Sequence, residues 1–179
     1  DRVPGNHRFP LALLRLRGCR RLRSPMEMVR VSADVRAPAR VVWDTMLARD
    51  TYEQWTGAFH EGSTYEGGGD EGAEIRFVGP SADGQTSGLV GTIVENRPTE
   101  LVTIRYDGEI DRGVVTRESP VVGLRESYAF SETDGVTTLD VEVEVPDEWA
   151  PSMRQMWAEA VISLKQLAEA APTPDSPAR

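Results

Sequence analysis

Residues 136–170 read VTTLDVEVEVPDEWAPSMRQMWAEAVISLKQLAEA, and the change of period inside this stretch decides the fold. As far as Val145, apolar and polar residues alternate. Leu139, Val141, Val143 and Val145 fall on one face, with Asp140, Glu142 and Glu144 on the other. Successive strand residues point to opposite faces, so this is a half-buried strand. Its three acids read as a solvated convex face, not a metal site. Beyond it, Ala150–Ala170 forms an amphipathic helix, with Pro151 suited to the first turn. Met153, Trp157, Ala160, Val161, Leu164 and Leu167 recur at helical spacing. About 20 helical residues span roughly 30 Å, the width of a small domain.

Working back towards the N-terminus, the period stays at two. Candidate strands are Ser63–Glu66, Ala73–Val78, Gly88–Arg97, Glu100–Asp107, Leu124–Glu132 and Val136–Val145, bounded by Gly, Pro, Asp or Asn turn residues. Links this short pair consecutive strands as antiparallel hairpins. Val29–Ala37 alternates as strictly and reads as a strand at the sheet edge. Pro38 then opens a short helix carrying Val41, Val42 and Met46, and Thr51–Phe59 forms a second with Trp55 and Phe59. An antiparallel sheet with one polar face must bury the other, and the last helix is the one element long enough to cover it. The expected fold is α+β: seven curved antiparallel strands gripping a long C-terminal helix, with two short helices between strands 1 and 2.

The bulk numbers, 39% hydrophobic and 27% charged residues, fit one water-soluble domain. No apolar run reaches the roughly 18 residues of a membrane span. A single cysteine, Cys19, excludes an intramolecular disulfide and makes the cytoplasm the expected setting. The net charge of −9 is uneven, because residues 1–25 hold seven arginines and one acid. The rest carries 13 basic and 28 acidic residues, a balance that repels phosphate backbones, so no nucleic-acid partner is expected. Residues 1–25 lack the apolar length and cleavage site of a secretory signal. They are expected to be disordered or to lie upstream of a start at Met26 or Met28; a membrane-surface amphipathic helix is the other reading. Residues 26–170 form the domain, and 171–179, rich in Pro, Ser and Ala, a disordered tail.

Little in the chain matches established catalytic chemistry. Gly67–Gly72 fits G-x-G-x-x-G literally, but a strand follows it where a phosphate site needs a helix N-terminus, and Asp70 and Glu71 would repel an anion. A hairpin loop needing positive φ at glycine explains it better. With His60 the one histidine after residue 25 and no cysteine there, a Cys/His zinc site is excluded, and no metal or cofactor is expected. His60 is a candidate acid/base group, though a surface loop histidine explains it better. Glu126 is the other candidate. Leu124, Glu126, Tyr128 and Phe130 share one strand face; if it points inward, burial raises the Glu126 pKa, and if outward, Glu126 is a solvated carboxylate. The rings of Trp55, Phe59, Phe77, Tyr106, Tyr128 and Trp157 come from separate elements that this fold brings together. With Met153 and Val161 they line a ligand cavity or form the core, since both use the same residues. Arg105 could meet a ligand carboxylate, and a surface pair with an acid suits it better.

This order of elements, with certain short motifs, resembles the SRPBCC (START-like) superfamily, and within it the group similar to activators of the ninety-kilodalton heat-shock ATPase. The motifs are Ala37-Pro38 followed by Val42-Trp43, Trp55-Thr56 with Phe59, Gly72–Phe77, Gly91–Glu95 leading to Pro98, Glu126-Ser-Tyr128, and Trp157 with Leu164-Lys165, Leu167 and Glu169. The resemblance implies a helix-grip fold whose cavity holds lipids, sterols, polyketides or other apolar molecules, and no universal catalytic residue. The polar stretch from Gly108 to Gly123, ending in Ser119-Pro-Val-Val122, departs from relatives that carry an aromatic residue there. The expected function is a non-catalytic module that holds a small hydrophobic or amphipathic molecule between sheet and C-terminal helix. The alternatives are a cyclase or dehydratase using His60 or Glu126 with a tyrosine donor, and a co-chaperone-like domain with a protein partner.

Overall fold

The computed structural model describes residues 25–81 and 83–172, so the expectations for residues 1–24 and 173–179 lie outside the described residues. In chain order the elements are β1 (Met26–Val35), α1 (Ala39–Leu47), α2 (Arg49–Trp55), β2 (Thr64–Gly67), β3 (Glu74–Pro80), β4 (Thr86–Arg97), β5 (Leu101–Asp111), β6 (Val114–Thr116), β7 (Arg125–Thr133), β8 (Val136–Pro146) and α3 (Ala150–Ala170). The sheet is antiparallel with spatial order β1-β8-β7-β5-β4-β3-β2, and β6 pairs with the far end of β5. The fold is thus the α+β architecture read from the sequence, with one short strand added. Val114–Thr116 shows no useful alternation, and it becomes a strand because β5 continues to Asp111 and offers it an edge.

Local chemistry explains the junctions. Pro38 stands just before α1, whose first N–H groups lack partners within the helix. The Ala39 N–H is satisfied by the Glu132 carboxylate reaching across from β7 at 2.8 Å. Buried Thr137 donates to the Ala37 carbonyl at 2.7 Å and ties the same corner to β8. The Arg97-Pro98-Thr99-Glu100 turn closes with Glu100 N–H on the Arg97 carbonyl at 2.9 Å, and Thr99 has φ +67°. That conformation suits glycine and strains a β-branched residue. Replacing Thr99 with Gly is expected to stabilise the protein by about 0.5–1 kcal/mol, read as a higher midpoint in urea.

The sheet curves, helped by register shifts at Val90/Gly91 and Ile93/Glu95 of β4. Its concave face carries Val102, Ile104 and Tyr106 from β5, Glu126, Tyr128 and Phe130 from β7, and Leu139, Val141 and Val143 from β8, all buried. The other face of β8 holds the acids, with Asp140 and Glu142 exposed and Glu142 paired to Arg30 at 2.7 Å. Helix α3 packs over β1 and against α1 and α2, burying Trp157, Ala160, Val161, Leu164 and Ala168. No helix among the described residues is long and apolar enough to cross a membrane.

Candidate functional site: a buried carboxyl beside an aromatic cavity

Glu126 points inward. It is 6% exposed, paired in register with Ile104 of β5 and Val143 of β8. The residues on the opposite face account for this choice, because Arg125 is exposed and Ser127 bonds Thr103 on the outer side of the sheet. Two phenols serve the carboxyl. Tyr106 donates to one oxygen at 2.5 Å, and Tyr128 donates to the other. None of the ion pairs among the described residues includes Glu126. Burial therefore dominates and raises its pKa above the ordinary carboxylate value, while the two phenol hydrogen bonds pull the other way and offset only part. Tyr106 and Tyr128 are pushed well above the usual phenol value, first by burial and then by the Glu126 charge. Tyr52 of α2 is raised by the same two influences.

Beside this cluster lies a cavity of about 220 Å³. One wall is Trp43 and Met46 of α1 with Tyr52 and Trp55 of α2; the floor is Ile75, Phe77, Ile93, Val102, Ile104 and Tyr128 from the sheet. Gly67, Gly68 and Gly69 form the rim, and two of these, Gly67 and Gly69, are exposed. A Cβ on Gly67 would stand 2.5 Å from the Glu74 carbonyl oxygen, at φ +74°; one on Gly68 would press on Ile75 Cδ1 at 3.2 Å. The glycine run thus lets the β2–β3 turn fold tightly over the cavity, and β3, not a helix, follows it.

The space lies between the sheet and α1–α2, and none of its lining residues comes from α3. The physical reason is Trp157. Its ring packs edge-on to Phe59 at 4.8 Å and Tyr128 at 5.7 Å, and against Trp55 at 6.2 Å, filling the room beneath the long helix. Of the residues singled out from sequence, Trp55, Phe77 and Tyr128 line the cavity. Tyr106, Trp157 and Val161 are buried behind it, and Phe59 and Met153 are half-buried against the core. His60 follows the turn after α2, half-buried, with Nδ1 2.7 Å from the Glu61 carbonyl oxygen, and is not among the lining residues. Arg105 pairs with Asp107 at 3.1 Å. Among the described residues no group of His, Cys, Asp or Glu could hold a metal ion.

Sequence reasoning missed Tyr52, Tyr65 and the glycine rim. Tyr52 had a signal, since it precedes Trp55 by three residues and so shares its helical face; their rings meet at 5.1 Å. The rim had none, because its approach depends on how β2 folds back on β3.

Comparisons with known proteins agree with this fold. The chain resembles the solution structure of the Aha1 dimer from Colwellia psychrerythraea at 15% identity and TM-score 0.61, covering 80% of this chain and 97% of that one. The AHSA1-like protein from Aeromonas hydrophila matches at 15% identity and TM-score 0.58, over 79% and 92%. CalU16 from Micromonospora echinospora matches at 16% and 0.56, over 81% and 78%. At such identities these likenesses speak for the fold alone. No curated protein matches the sequence. The family model described as Activator of Hsp90 ATPase homolog 1-like protein matches residues 36–169, spanning everything from the end of β1 to the last turn of α3, and the chain belongs to that family, within the SRPBCC superfamily.

Proposed function

We propose that this protein is a binding module for one small, mostly apolar molecule of roughly aromatic size, held between α1–α2 and the sheet. The observation that carries the reading is the cavity of about 220 Å³ with its ring-rich lining. A dry apolar cavity of about 150 Å³ accepts benzene, so this one suits a ligand of about ten non-hydrogen atoms. Burying about 200 Å² of ligand surface stabilises the complex by about 5 kcal/mol, at about 25 cal/mol per Å². Association costs remove part of this, so an affinity on the order of 0.1 mM or weaker is expected for an unoptimised aromatic probe.

Native mass spectrometry and quenching of tryptophan fluorescence test the proposal, since Trp43 and Trp55 border the cavity. Saturable one-to-one uptake of a small aromatic is expected. Replacing Ile104 with Trp fills the space; it is expected to abolish uptake, with a stability cost of about 1–3 kcal/mol, as for other overpacked cores. Uptake that survives Ile104→Trp, or no saturable uptake by the natural chain, would end the reading.

An enzymatic reading draws on Glu126, a buried acid with raised pKa beside two phenols. It ranks second because Tyr128, not Glu126, borders the cavity, so a proton would have to pass through the phenol.

A further inference from the structure

The cavity's polar atoms are unequally supplied with protons. Tyr128 donates its hydroxyl proton to Glu126, and Tyr65 donates its own to the Leu47 carbonyl at 2.5 Å. Trp55 Nε1–H is committed to the Met46 carbonyl at 3.2 Å. The Asn96 amide gives one of its two N–H groups to the Gly69 carbonyl and leaves Oδ1 buried without a partner. A phenol that has given away its proton can only accept. The lining donors not used in these bonds are the Tyr52 hydroxyl and the second N–H of the Asn96 amide. The oxygens of Tyr128, Tyr65 and Asn96 can accept and outnumber these donors, which favours a ligand that brings donors of its own.

Charge points the same way. Among the described residues no Lys, Arg, His, Asp or Glu lines the cavity, and Arg49 beside it is held over the Tyr65 ring. Directly behind Tyr128 stands the Glu126 carboxyl, whose partners are phenols. The walls carry six aromatic rings: Trp43, Tyr52, Trp55, Tyr65, Phe77 and Tyr128. Ring faces attract cations. One already does so here, with the guanidinium of Arg49 lying 5.7 Å from the Tyr65 centroid.

We infer that the cavity selects a small organic ammonium ion, its N–H groups donating to the Tyr128 oxygen with Glu126 behind, over neutral or anionic molecules of the same shape. This rests on the cavity being the binding site proposed above. Ring faces and a buried acid offset part of what the cation loses in leaving water, while a carboxylate meets only the Tyr52 hydroxyl and one Asn96 N–H.

Calorimetric titration of the intact chain with phenethylamine, phenethyl alcohol and phenylacetate at neutral pH separates the two claims. The amine is expected to bind at least about tenfold more tightly than the alcohol, with phenylacetate the weakest. Glu126→Gln is expected to weaken the amine about tenfold and the alcohol by less than about twofold. Tyr128→Phe, which removes the accepting oxygen, should do the same and serves if the first variant does not fold. An alcohol or carboxylate that binds as well as the amine overturns this inference and leaves the binding module standing. Equal weakening of amine and alcohol by the variants also overturns it. Failure of all three ligands to bind overturns both.

Discussion

Replacing Glu126 with Leu is expected to cost about 2–4 kcal/mol of stability, although it exchanges a buried acid for an apolar side chain of similar size. The loss lies in what remains. Tyr106 and Tyr128 each direct a hydroxyl at the Glu126 carboxyl, and both are buried. Without an acceptor each phenol is stranded, at about 1–3 kcal/mol apiece, partly offset by relief from burying the acid. Glu126→Gln keeps one carbonyl oxygen and can donate to the second phenol, so it should recover most of the loss.

The same pair of variants exposes the titration of the acid. The folded-state pKa of Glu126 is raised by burial, so between the ordinary carboxylate value and the folded value the folded chain holds a proton that the unfolded chain has released. That contribution is fully present below the unfolded pKa and disappears as pH rises through the folded pKa. Glutamine does not titrate. Stability of the natural chain relative to Glu126→Gln should therefore fall as pH rises from the ordinary carboxylate value through the raised folded-state value. Urea unfolding at several pH values measures this, and a flat difference would contradict the placement of the carboxyl.

Trp157→Ala is the second large effect, expected at about 3–5 kcal/mol. Trp157 is 3% exposed and meets rings from α2, the turn that follows it and β7, so its loss opens a space that none of these rigid elements can close. Trp157→Phe should cost less than about 1.5 kcal/mol, since it retains a ring. It also removes an indole N–H that is buried without a partner. The truncation to Ala should also join the new void to the α1–α2 cavity through Trp55, which touches both. Trp157→Ala is then expected to take up larger aromatics than the natural chain. Thermal unfolding and native mass spectrometry read the two consequences.

Elements with strong periodicity were legible from sequence. β8 and α3 could be read almost to the residue, because Leu139 to Val145 and Met153 to Leu167 each repeat without a competing pattern. β6 was not legible, since three residues gain strand character only from the β5 edge they meet. Parity put Glu126 and Tyr128 on one face but could not turn that face inward. The outer partners did so, through Arg125 at the surface and Ser127 against Thr103. The position of the cavity was the least legible feature. It depends on the rotation that lays the Trp157 ring on Tyr128 and Phe59, and on the β2–β3 turn folding Gly68 towards Ile75. Both are tertiary distances that no repeat along the chain encodes.

Methyl-resolved NMR during titration with a small aromatic tests the location of binding most directly. Saturable shifts are expected at Ile75, Ile93 and Ile104, whose side chains border the cavity, while Ile162 on the exposed side of α3 stays unmoved. Saturable shifts confined to Ile162 and its neighbours, or none at any of these methyls, would contradict the account.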